Sequence, residues 1–101
     1  MNLNRIRNYK VMVVRKEKSI FFTRKEELDF VRLCTIHGFK KRDIVKDNEN
    51  RVIKFEIYFP TISGSIEKKL SNVARYTNSR RTSAPCIVGR QHLIKVTFNK
   101  K

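Results

Sequence analysis

Hydrophobic and polar positions along this chain change period several times, and each change predicts an element. Lys18 to Thr23, "KSIFFT", joins Ile and two Phe without a breaker, the pattern of a short buried strand. Thr23 and Glu26 then stand at the spacing of a capping box, in which hydroxyl and carboxylate satisfy each other's free backbone N–H, so a helix begins there. Its apolar positions, Leu28, Phe30, Val31, Leu33 and Cys34, recur three and four apart, with Lys25, Asp29 and Arg32 on the other side. His37-Gly38 ends it, the glycine supplying the left-handed residue that stops a helix and His37 the cation that suits its C-terminus.

Beyond Gly38, "FKKRDIVKD" and "RVIKFEIYF" flank the turn-rich "DNEN", which predicts a hairpin. In its second strand Ile53, Phe55, Ile57 and Phe59 alternate with Val52, Lys54, Glu56 and Tyr58, the period of two of a sheet buried on one face and covered by the helix. Pro60 and "TISGS" interrupt any ladder and mark a hinge. A second, smaller unit starts near Ile66. There "SIEKKLSNVARYT" and "CIVGRQHLIKVTF" suit either two strands or a helix and a strand, and periodicity does not separate the two. The expected organisation is residues 1–60 as one domain, 61–65 as the hinge and 66–101 as a second unit.

Charge adds a partner to this outline. Lys and Arg number 24 against 9 Asp and Glu, a formal charge of +15 on 101 residues. Such a chain repels itself until an anionic partner neutralises it, and a polyanion needs one continuous positive face. The distribution suits that need. Arg5, Arg7, Lys10, Arg15 and Lys16 open the chain without an acid, and no acid follows Glu67, where Lys68, Lys69, Arg75, Arg80, Arg81, Arg90, Lys95, Lys100 and Lys101 stand. In "ARYTNSRRTSAPCIVGRQHLIKV", guanidinium groups can hold phosphate oxygens bidentately. The hydroxyls of Thr77, Ser79, Thr82 and Ser83 and the amide of Asn78 can reach phosphates, sugar hydroxyls or base edges. The stretch reads as a loop that becomes ordered on an RNA backbone. Tyr76 is either a core aromatic on a strand or a stacking platform for a base.

Other chemistries find little support. Cys34 and Cys86 lie far apart without a C-x-x-C spacing and form no set with His37 and His92, so neither a zinc finger nor a disulfide framework is expected, and Cys34 reads as a small core residue. No run of about 18 apolar residues is present to span a membrane. Gly38, Gly64 and Gly89 are isolated and make no phosphate loop, and the carboxylates fall where capping, helix-face pairing or turns explain them, so no enzyme, cofactor or small-molecule substrate is expected.

In order and spacing, "LNRIRN", "SIFFT", "RKEELDFVRLCTIHGF", "VIKFEIYF" and "IEKKLSNVARYT…RR…CIVGRQHLIKV" resemble small-subunit ribosomal protein S-eight, the eighth in the usual bacterial numbering. Leu3 to Asn8 is close to that family's Leu-Thr-Arg-Ile-Arg-Asn, and Ile36-His37-Gly38-Phe39 is similar to its helix end. The resemblance implies an α+β fold, an N-terminal α-β-α-β-β domain followed by a small β-rich domain. It also implies binding to the central domain of small-subunit ribosomal RNA beside neighbouring small-subunit proteins. Arg5, Arg7 and Asn8 would then lie on an RNA-facing first helix. Arg75, Thr77, Arg80 and Arg81 would match a family segment similar to Arg-Ile-Ser-Lys-Pro-Gly-Arg-Arg. With Asn78, Ser79, Lys10, Arg90 and Lys95 they complete the candidate RNA-binding set.

The chain departs from the family in three places. "TSAP", Thr82 to Pro85, reads as an insertion, Ser79-Arg80 replaces the family's Pro-Gly turn, and the second domain is shortened before a Ser-Thr-Ser-Lys-Gly loop. Richness in Phe, Ile, Asn and Lys fits an organelle with an AT-biased genome, a mitochondrion, with another organelle or the bacterial cytoplasm as alternatives. A free basic regulator or nucleoid-type protein reading DNA by its backbone would carry the same charge, so both functions stand at this point.

Overall fold

The computed structural model describes residues 20–101. Among them the order is α1 (Arg24–His37), β1 (Arg42–Lys46), β2 (Val52–Phe59), α2 (Gly64–Tyr76), β3 (Ser79–Val88) and β4 (Gln91–Lys100). The fold is α+β: two helices and one antiparallel four-stranded sheet in the order β1-β2-β4-β3.

Helix α1 starts and stops where its sequence says. Thr23 Oγ1 accepts the Glu26 N–H at 3.1 Å, and Glu26 Oε1 accepts the Thr23 N–H at 2.8 Å. Gly38 closes the helix at φ 76°, its N–H turned back to the Thr35 and Cys34 carbonyls. Phe30, Leu33 and Cys34 are buried, whereas Leu28, expected on the same side, is exposed. The stripe facing the sheet is therefore narrower than the apolar spacing implies. Lys25 and Arg32 share the Asp29 carboxylate at 3.0 Å on the outer side, and their hydrogen bonds hold it below its usual range.

The hairpin of β1 and β2 forms around Asp47, whose carboxylate accepts the backbone N–H groups of Glu49 and Arg51 at 3.0 and 2.9 Å. Asn50 takes φ 66°, a conformation asparagine tolerates. Pairing passes from Val45–Lys54 to Lys46–Val52 and leaves Ile53 without a partner, a bulge. It turns Val52 into the core beside Phe55, Ile57 and Phe59, so the even alternation expected from Ile53 onward fails at that residue.

Phe55 and Phe98 face each other across β2 and β4. Phe30 of α1 stacks on Phe55 at 4.2 Å between ring centroids and meets Phe98 edge-on at 6.3 Å. Phe22 adds a tilted contact to Phe55 at 4.3 Å. Aromatic pairs of this kind contribute about 0.5–1.5 kcal/mol each beyond the area they bury. The strand expected over Lys18–Thr23 does not form in its described part. Phe22 donates a single backbone hydrogen bond to the Val52 carbonyl at 2.9 Å and otherwise serves as a core side chain.

The expected division at 61–65 joins two halves of one sheet instead. Ser63 caps α2 by accepting the Ile66 N–H, and β4 lies between β2 and β3. Leu70, Val73, Val96 and Phe98 share one cluster with Phe30, Phe55 and Ile57. The second half is a helix and a hairpin rather than a β-rich unit of its own. Lys100 closes the structure by donating to both Glu26 oxygens, at 2.5 and 2.6 Å, so the end of the sheet is tied to the start of α1.

Burial works against the Glu26 carboxylate, but the Lys100 hydrogen bond, the Thr23 N–H and the Lys100 charge outweigh it and hold its pKa below the ordinary 4.5. A depressed carboxylate adds stability above its unfolded pKa and loses it as pH falls through the folded one. Glu26→Gln should therefore cost about 1–2 kcal/mol at neutral pH in urea unfolding. The gap to the wild type should close as pH drops below 4.5.

Candidate nucleic-acid interface

Helix α2 buries Leu70 and Val73, with Ile66 packed against the same core and Thr77 buried at its end. Residues three and four apart on a helix are neighbours, so the opposite face is fixed by the same sequence. It presents Ser65, Lys68, Asn72, Arg75 and Tyr76, all exposed, with Lys69 half-buried beside them. Glu67, on the flank, does not oppose this stripe. Its carboxylate pairs with Arg81 Nη2 at 2.7 Å, and the same guanidinium donates to Ser71 Oγ at 3.3 Å.

The turn from α2 into β3 is rigidly built. Thr77 Oγ1 donates to the Val73 carbonyl at 2.6 Å and lies 2.8 Å from Ser79 Oγ, both residues being buried. Asn78, at φ 53°, reverses the chain, and its carbonyl accepts the Lys101 N–H at 3.1 Å. The corner thus gathers exposed Arg75, Tyr76, Asn78, Arg80 and Lys101.

Several sequence expectations change here. Thr77 and Ser79 are spent on internal hydrogen bonds and offer no hydroxyl to a ligand. The stretch read as a loop is the end of α2 followed by a hairpin, and "TSAP" lies within β3, Thr82 to Pro85 pairing with Thr97 to Ile94. Ser79-Arg80 is no turn; the reversal sits at Asn78. Pro85 is tolerated because β3 is an edge strand. Tyr76, left open between a core aromatic on a strand and a stacking platform, ends a helix and is 54% exposed.

Arg80 and Arg81 do not act together. Successive strand residues face opposite sides, so Arg81, paired with buried Phe98, turns to α2, while Arg80, paired with Asn99, joins Lys54 on the face no described helix covers. On that open face the Glu56 carboxylate lies 3.6 Å from Lys54 Nζ and 3.7 Å from Lys95 Nζ, so Lys95 is partly engaged. Tyr58 donates to Glu56 at 3.0 Å, and burial together with that bond pushes its hydroxyl up to about 12. Arg90 is exposed in the turn between β3 and β4, where Gly89 takes φ 64°. Arg5, Arg7, Asn8 and Lys10 lie outside the described residues, as do Arg15 and Lys16 of the acid-free opening.

Every described side-chain carboxylate has a partner. Glu26 pairs with Lys100, Glu27 with Arg24, Asp29 with Lys25 and Arg32, Asp47 and Glu49 with Arg51, Glu56 with Lys54 and Lys95, and Glu67 with Arg81, while Asp43 faces the Tyr58 hydroxyl. Among the described residues, Lys68, Lys69, Arg75, Arg80, Arg90 and Lys101 have no such neutralising partner, and neither do Lys40, Lys41, Arg42 and Lys46 on the β1 side, where Lys41 and Arg42 meet only the Gln91 amide and the Phe39 carbonyl. Composition counts Lys68 and Lys69 as charge but does not show the stripe they form with Asn72. The i, i+4, i+7 spacing of Lys68, Asn72 and Arg75 is the signal that could have found it.

The remaining reactive groups are quiet. Burial raises the Cys34 thiol to about 12, against a smaller opposing effect of the Arg42 charge, so it stays protonated at neutral pH. Among the described residues no group of three or more His, Cys, Asp or Glu is placed to hold a metal ion, and no helix is long and apolar enough to cross a membrane. Comparison with known proteins gives no matching family model, no matching curated protein and no matching solved structure.

The opposed arginines should be distinguishable by melting temperature. Arg81→Glu sets a second carboxylate against Glu67 and should lower it by a few degrees, for a cost of about 1 kcal/mol. Arg80→Glu should leave it unchanged. The charge swap Arg81→Glu with Glu67→Arg should restore the loss.

Proposed function

We propose that this protein binds RNA through the outer face of α2 and its corner with β3, as a structural constituent of the small ribosomal subunit. The observation that carries the reading is the stripe of Lys68, Lys69 and Arg75, unpaired and exposed or half-exposed, on a chain whose described carboxylates are all occupied. A helix face of this composition meets phosphates, with Asn72, Asn78 and Ser65 able to reach sugar hydroxyls or bases. Lys101, whose N–H meets the Asn78 carbonyl, adds a cation at the turn, while Arg80 lies on the opposite face of the sheet. The acid nearest in the chain, Glu67, is neutralised by Arg81, and Glu26 is neutralised by Lys100, so neither repels a phosphate backbone.

Assignment to the ribosome rests on the order of motifs in which this chain resembles the S-eight family, and α1, β1 and β2 are compatible with the α-β-β part of the first domain that the resemblance implies. The partner is then the central domain of small-subunit ribosomal RNA, with neighbouring small-subunit proteins beside it. The abundance of Phe, Ile, Asn and Lys supports a mitochondrial ribosome.

Sedimentation tests the proposal directly. The protein should travel with the small subunit through a high-salt gradient, and Lys68→Glu with Arg75→Glu should release it while its circular dichroism stays that of the wild type. A wild-type protein that runs free or with DNA would refute the ribosomal role. A double variant still bound would move the contact away from α2.

A further inference from the structure

Resting on the RNA reading, we infer that the C-terminal end of α2 is a seat for one unpaired nucleotide, with Tyr76 as the stacking platform and Asn72 as the group beside the base edge. Tyr76 is the last residue of the helix and is 54% exposed, with no aromatic, cation or hydrogen-bond partner on its ring or hydroxyl among the described residues. The other tyrosine described, Tyr58, is held by Glu56 and Asp43 on the far side of the sheet. An exposed aromatic ring set among cations and an amide offers a free π-face to a planar group such as a base.

The surroundings specify what covers it. Asn72 stands four residues before Tyr76 and Lys69 seven before, so both share its side of the helix, and Arg75 and Lys68 continue the same surface outward. An amide next to an aromatic face can donate to and accept from the edge of a base lying on that face, while the flanking cations hold the phosphates on either side. An apolar protein partner would find four polar or charged neighbours around one ring. A blunt duplex keeps its bases stacked and offers none to Tyr76, so the occupant is a single-stranded or bulged segment of RNA.

The chain contains no tryptophan, so Tyr76→Trp makes a unique fluorescent reporter at the seat. Binding of fluorescein-labelled oligouridylate and of a blunt RNA duplex of equal length is measured by anisotropy at low salt. The expected result is quenching of the introduced indole's fluorescence by unlabelled oligouridylate but not by the duplex. Tyr76→Ala should weaken oligouridylate binding about tenfold. Tyr76→Phe should bind as the wild type does, and Asn72→Ala should weaken binding less than Tyr76→Ala. All of these variants should keep the wild-type melting temperature, since both side chains are exposed. Oligouridylate that binds equally well to Tyr76→Ala, without quenching of the indole in Tyr76→Trp, overturns the seat and leaves the RNA reading in place. Failure of wild type to bind either RNA overturns both.

Discussion

Phe55 and Phe98 form a rung beneath Phe30, and this aromatic contact holds the two halves of the chain in one body. It lies where β2, from the first half, meets β4, from the second, and α1 clamps it from above. Removing Phe55 would leave a cavity under a stacked ring in a small core, a loss of about 3–5 kcal/mol. That is a large share of what a domain this size has to spare. Because this rung fuses the halves, α2 has a fixed place over the sheet with Leu70 and Val73 buried. Its outer face is then fixed as well.

Charge placement follows from that geometry. A strongly cationic chain lowers its self-repulsion by placing each carboxylate beside a cation, and the pairs at Glu26, Asp29, Asp47, Glu56 and Glu67 all serve this end. Among the described residues, Lys68, Lys69 and Arg75 on α2 are cations left without a carboxylate. The period of two in β3 divides Arg80 from Arg81, giving one to the surface and the other to the fold. Two adjacent arginines thus differ in role through strand geometry alone.

Legibility in the sequence varies with how strongly local chemistry determines conformation. Helix α1 is readable to the residue because Thr23, Glu26 and Gly38 each satisfy a specific backbone need. The Asp47 turn is equally plain. Helix α2 is ambiguous because Ile66, Leu70 and Val73 are few and separated by polar residues that suit helix and strand alike. Strand β3 looks like a loop because an edge strand exposed over most of its length needs no hydrophobic alternation, and Pro85 argues against a strand only in the middle of a sheet. Leu28, by contrast, is a hydrophobic residue that long-range packing leaves outside. For the candidate site, the acid-free composition points to the second half of the chain, but burial decides which side chains are free: Thr77 and Ser79 go inward, and Asn72 and Tyr76 come out.

Lysine acylation footprinting with and without RNA asks which face of the protein meets the polyanion. RNA should shield Lys68, Lys69 and Lys101 from acylation and leave Lys25, bound to Asp29, and Lys46, across the sheet on β1, as reactive as before. Protection of Lys46 with Lys68 and Lys69 still reactive would place the RNA on the other side of the molecule and refute the α2 interface.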